Sequence, residues 1–144
     1  GWATWRRAWK LYDFRAISWV RPEVKNCIRL KCVDTGDYLF WSDAFDSIIN
    51  NSIDTWDIQW VFACWMNDGL SIVPCVNLIS NLGFRADATH TKEILPELIK
   101  ESGNLGYPYD YPSDVEPHVV ADQVHAKKHC RVSLKRRLRA LLGI

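Results

Sequence analysis

The sequence predicts an α/β (α+β) fold in which helix outnumbers strand, and three observations carry that expectation. Apolar residues recur at helical spacing over 55–67 and 132–142. Two stretches, 27–33 and 70–78, read as extended apolar runs. The chain has 144 residues and a mass of 16.7 kDa, the size of one domain or of a piece of a larger one.

The elements follow in chain order. Residues 4–12 suit a short helix with Thr4 as its cap, and place Trp2, Trp5 and Trp9 on one face. Residues 13–36 are mixed. Around Cys27 and Cys32, the neighbours Ile28, Leu30 and Val33 read as a buried strand, and Asp34 to Asp37 as a turn. Residues 38–50 suit a helix, with Leu39, Ala44, Phe45, Ile48 and Ile49 opposed by Ser42, Asp43, Asp46 and Ser47. The clearest helix is 55–67, capped by Asp54 or Thr55 and stopped by Gly69, with Trp56, Trp60 and Trp65 on one broad face. Leu70 to Leu78 reads as a strand bent or placed at an edge by Pro74. Residues 81–91 form a loop, and the Gly, Pro and Tyr content of 103–118 predicts an irregular packed segment. The last element is an amphipathic helix over 132–142.

Composition narrows the function classes. The chain is 48% hydrophobic and 24% charged, which excludes disorder, collagen and coiled coil. No run approaches the ~20 apolar residues of a membrane-spanning helix. The net charge of +1 hides an asymmetry. Residues 123–144 hold seven Lys or Arg and no acid, leaving eleven basic and seventeen acidic residues, a net of −6, in 1–122. A body of that charge is not a nucleic-acid binder. The tail has Leu134, Leu138, Leu141 and Leu142 on one stripe and basic residues opposite. It suits either peripheral contact of 131–142 with an anionic membrane or a helix docked by its Leu stripe. Five cysteines without CxxC spacing suit free thiols in a reducing, cytoplasmic setting. P-loop, dinucleotide, hydrolase-elbow and zincin motifs are absent, and His118, His125 and His129 match no zinc spacing.

Two segments carry candidate chemistry. Asp57 stands between Trp56 and Trp60 at a helix start, where a carboxylate can serve as a general base. The loop holding Asp87, Thr89, His90 and Thr91 offers groups for a phosphate, a hydroxyl or a metal. Eight tryptophans suit either an aromatic core or a platform on which sugar C–H faces stack.

Four segments in order, from Gly1 to Trp9, Thr55 to Trp60, Asn77 to Phe84 and Asp87 to Thr91, bear a family likeness. Over Gly1 to about Asp122 the chain resembles the C-terminal half of bacterial GT-A-type glycosyltransferases, the nucleotide-diphospho-sugar transferases of the hemolytic-protein-like group. The resemblance implies the acceptor-side half of a GT-A fold over 1–122, followed by the basic amphipathic segment 123–144. It implies sugar transfer from a nucleotide-sugar to a hydroxyl of a glycan or lipid acceptor, with Asp57 as catalytic base. Trp2, Trp5, Trp56 and Trp60 would shape the sugar pocket, Gln59 would bond a hydroxyl, and Asp87, His90 and Thr91 would approach the donor phosphates. A divalent metal, Mn or Mg, would be held by an Asp-x-Asp motif in the nucleotide-binding half. This chain contains no Asp-x-Asp, so it is expected to be a fragment that needs no cofactor of its own. The alternative is a non-catalytic binding or oligomerisation module, self-associating through the face that the missing half leaves bare.

Overall fold

The computed structural model describes residues 2–80, 101–130 and 132–142. The chain divides into two compact units, one of Gly1–Ala3 with Ser71–Val115, the other of Thr4–Leu70 with Glu116–Ile144. The helices all belong to the second: α1 Arg6–Trp9, a 3-10 turn Ile17–Val20, α2 Pro22–Lys31, α3 Thr35–Ile49, α4 Asp57–Met66, α5 Val119–His129 and α6 Leu134–Leu142.

The described residues contain no strand. This corrects the expected α/β class and, with it, the GT-A half-fold: the described elements are all helical. The extended run expected over 27–33 lies mostly in α2. Pro22 opens that helix with its φ already helical, Glu23 lies in the first turn, and Arg29 and Lys31 lie in the last. Val24 and Ile28, one turn apart, are buried, whereas Leu30 and Val33 are exposed. A short apolar run does not by itself distinguish strand from helix, and here the cap decides. The strand expected over 70–78 is also absent, and those residues form neither helix nor strand.

The turn expected at Asp34 to Asp37 is the start of α3. Asp37 N–H donates to Asp34 Oδ1 at 2.9 Å, and Val33 N–H donates to Asp37 Oδ2 at 2.9 Å. One orphan amide of the helix and the N–H of Val33, just before the cap, are thereby satisfied by carboxylates three residues apart, a variant of the capping box. Two other caps differ by one or two residues from expectation. Trp5, not Thr4, precedes α1, and Trp56, not Asp54 or Thr55, precedes α4. Trp2 and Trp5 therefore lie outside the helix and share no helical face with Trp9.

The core is aromatic. Ala16, Trp19, Val24, Ile28, Phe45, Ile48 and Phe62 are buried together. Phe45 is its hub: Trp19 and Phe62 meet it edge-on at 5.1 and 5.2 Å between ring centroids, and Trp41 stacks at 5.8 Å. Trp65 closes the group against Trp41 at 5.2 Å. Buried Trp19 keeps its indole N–H satisfied by Asp46 Oδ1 at 2.7 Å, as a desolvated donor requires. Trp65 is five residues from Trp60, about 140° further round the helix. The two therefore serve different clusters rather than the one face expected.

The final helix meets the body in the opposite sense to a Leu-stripe docking. Arg136 makes a two-pronged pair with Asp43, and Arg137 Nη2 lies 2.5 Å from Asp34 Oδ2. Both acids belong to α3 or its cap. Leu134, Leu138, Leu141 and Leu142 remain exposed. The Arg137 guanidinium lies close over the first turn of α3: a Cβ added at Gly36 would stand 2.7 Å from Arg137 Nε.

The smaller unit has no helix or strand among its described residues. Asn77 ties it together. Its carbonyl accepts from Gly103 N–H at 2.6 Å, and its side-chain amide donates to the carbonyls of Ile79 and Glu101. Tyr107, Tyr109 and Tyr111 form an exposed edge-to-face ladder at 5.7 and 6.5 Å.

Candidate functional site at the start of α4

Helix α4 brings Asp57, Gln59 and Trp60 together at its first turn, with Trp56 immediately before it. The Asp57 carboxylate is exposed and faces the orphan amides of the helix start. It accepts from Ile58 N–H at 2.9 Å and from the Thr55 hydroxyl. Gln59 is 3% exposed, and its amide nitrogen donates to the Thr55 carbonyl at 2.7 Å. Thr55 thus serves both residues, holding Asp57 with its side chain and Gln59 with its backbone.

Trp60 faces a second aromatic group, distinct from the core. Trp9 stacks on Tyr12 at 4.6 Å with planes 9° apart, and Trp60 lies against Trp9 at 5.2 Å and Tyr12 at 6.4 Å. The Tyr12 hydroxyl is buried without a hydrogen-bond partner. Burial pushes its pKa up, and the nearby Asp57 and Asp13 carboxylates push it further. Tyr12 therefore stays a neutral O–H beside the Asp57 carboxylate.

Trp56 is exposed, and Trp5 stands at the start of α1 with the Arg7 guanidinium 5.2 Å over its ring. Trp2 is exposed and belongs to the smaller unit. Asp87, His90 and Thr91 lie outside the described residues. Two residues of the site, Trp9 and Tyr12, were not among the expected ones. Their signal was the i, i+3 spacing of two aromatics at the end of the first helix.

Among the described residues no three His, Cys, Asp or Glu side chains converge on a point. His125 and His129 lie one turn apart on α5, their rings tilted by 36° with centroids 4.9 Å apart.

Beside the site a cavity of about 760 Å³ opens between the 14–20 segment and the 48–55 segment. Gln59 and Thr55 line it.

Comparison with known proteins found no matching family model, no curated relative and no similar solved structure.

Proposed function

We propose that the chain is the acceptor-binding part of a glycosyltransferase, with Asp57 as the base. The observation that carries this reading is an exposed carboxylate at the first turn of α4, beside the aromatic surface of Trp9, Tyr12 and Trp60. Indole and phenol faces stack on sugar C–H groups, and a fixed carboxylate accepts a hydroxyl proton. In the transfer, the acceptor oxygen bonds to the anomeric carbon as the bond from that carbon to phosphate breaks. The nucleoside diphosphate leaves with the bonding pair, and the hydroxyl proton passes to Asp57. This course inverts the anomeric centre. The resemblance of the sequence segments supports the same chemistry, although the helical fold does not carry it.

A glycan array probed with this chain tests acceptor binding. Trp60→Ala is expected to abolish the binding. Nucleoside diphosphate release by the natural gene product then tests the base: Asp57→Asn is expected to stop turnover and leave acceptor binding. Turnover that survives Asp57→Asn removes Asp57 as base. A bound glycan with no turnover from any nucleotide-sugar assigns a binding module instead.

A second reading concerns α6 and peripheral contact with an anionic membrane. With Arg136 and Arg137 committed to α3, the Leu stripe stays exposed, and Lys135 and Arg139 beside it remain available for lipid headgroups. Co-sedimentation with anionic but not zwitterionic vesicles, lost in Leu138→Glu, is the expected result. No helix of the described residues is long and apolar enough to cross a membrane.

A further inference from the structure

Helix α5 lies apart from the start of α4, and the transfer chemistry uses none of its side chains. His125 and His129 are both exposed on it. Four residues separate them, so they stand about 40° apart around the helix and about 6 Å apart along it. Their ring centroids are 4.9 Å apart, with the planes at 36°. That separation is the one a shared cation requires. A transition metal sits about 2.0–2.1 Å from a ligating imidazole nitrogen, and the ring centre lies about 1.1 Å further on. With about 90–110° between the two bonds, the centroids of two ligating rings stand about 4.5–5.2 Å apart. The observed pair falls inside that interval.

The surroundings define what such a pair can do. Asp122, three residues before His125, shares the same face of α5 and adds a negative charge to it. It does not close a third contact, since among the described residues no group of three His, Cys, Asp or Glu can hold an ion. Cys130 follows His129 directly, but it is buried with its thiol hydrogen-bonded to Asp37 of α3. The residue after His125 is Ala126, where the helical zinc-hydrolase motif carries a glutamate base. The pair is therefore equipped to hold a cation and not to hydrolyse with it.

We propose that His125 and His129 chelate one divalent transition-metal cation of the Zn(II), Ni(II) and Cu(II) class, through one imidazole nitrogen each and with water in the remaining positions. Imidazole suits these ions, whereas Mg(II) and Ca(II) take oxygen ligands. The chelate bridges the last turn of α5, so the bound ion favours the folded helix over the unfolded chain. The site is independent of the acceptor reading, and neither falls with the other.

Calorimetric titration of this chain, without a histidine tag, with zinc, nickel and magnesium chlorides tests it. Zn(II) and Ni(II) are each expected to bind with one equivalent and a Kd below about 1 mM, and Mg(II) not to bind. His125→Ala and His129→Ala place a strong helix former at exposed positions, and each is expected to weaken binding by about ten-fold or more. The double variant Lys127→His with His129→Ala keeps two histidines but sets them two residues apart, on opposite sides of the helix. It is expected to bind no better than His129→Ala alone. Cys75→Ser removes an exposed thiol and is expected to change nothing. No saturable binding by the intact chain overturns the proposal. An affinity that survives either single histidine variant also overturns it, because the cation then sits elsewhere. Binding restored by Lys127→His overturns the shared-face geometry, and binding lost in Cys75→Ser assigns the ion to that thiol instead.

Discussion

Helix α4 serves two aromatic clusters, and they differ in what surrounds them. Trp65 joins Trp41, Phe45 and Phe62 in the core, where Phe45 is fully buried and Trp19 keeps its N–H on Asp46. Trp60 joins Trp9 and Tyr12, where Trp9 is 42% exposed and the buried Tyr12 hydroxyl has no partner. A cluster built for stability fills its contacts and satisfies its polar atoms. The second cluster holds a buried hydroxyl, that of Tyr12, without a hydrogen-bond partner, near the Asp57 carboxylate. The number of tryptophans does not separate these roles; the state of their polar atoms and faces does.

The largest break of that contrast is Phe45→Ala. Removing the hub of the closed cluster is expected to cost about 3–5 kcal/mol, a large share of the stability of a small domain. Urea denaturation checks it, and a loss under about 1 kcal/mol would show that Phe45 is not the hub.

High pH probes how closed the core side is. Burial, and then the Asp37 carboxylate, push the Cys32 thiol up to about 12, and burial with a hydrogen bond to Asp37 does the same to Cys130. The folded state binds these protons more tightly than the unfolded state, whose thiols titrate near the ordinary value. Their contribution is complete below about pH 9 and is lost as pH rises from there to about 12. Melting temperature is expected to fall across that range, and by less in the Cys32→Ser variant. Identical falls in both proteins would remove Cys32 from the account. At pH 8, exposed Cys75 is expected to alkylate well before Cys130.

Asp34 gives the acid counterpart. The Asp37 backbone N–H, and then Arg137, hold its carboxyl below the ordinary range. The stability it adds is present above pH ~4 and is lost as pH falls below that. Asp34→Ala is expected to cost about 1–2 kcal/mol as a lost cap. It should also flatten the acid limb of the stability profile; an unchanged limb would reject this account.

In the open cluster, Trp60→Ala is expected to cost only about 1 kcal/mol of stability while abolishing glycan binding. A stability loss matching that of Phe45→Ala would place Trp60 in the core instead. The smallest effect is expected at Arg136→Ala. The pair with Asp43 is about half-exposed on both sides, and such pairs contribute about 0–1 kcal/mol. A larger loss would mean that α6 is held by this pair rather than resting on it.

Parts of the fold and site are legible in the residues themselves. The helices over 35–49, 57–66 and 134–142 follow from the periodicity of Phe45 and Ile48, of Trp56 and Trp60, and of the Leu stripe. Asp57 beside two indoles is visible as a helix-start carboxylate. The misread stretch 27–33 shows the limit: Ile28 and Leu30 fit either a strand or a helix, and Pro22 with its flanking charges was the better guide. The capping pair of Asp34 and Asp37 was present as a spacing of three, but a turn and a helix start share those residue types.

Local spacing and capping made α3, α4 and α6 legible in the residues, because both signals repeat within one turn. The sequence also set the charge of the tail and the chemistry available at Asp57. Only the tertiary structure decided which tryptophan is core and which is surface, since that depends on what α3 and α1 place opposite each indole. It also decided that α6 meets α3 through its arginines and leaves its leucines out. An amphipathic pattern states that a helix has two faces, but the acids at Asp34 and Asp43 choose which face turns inward.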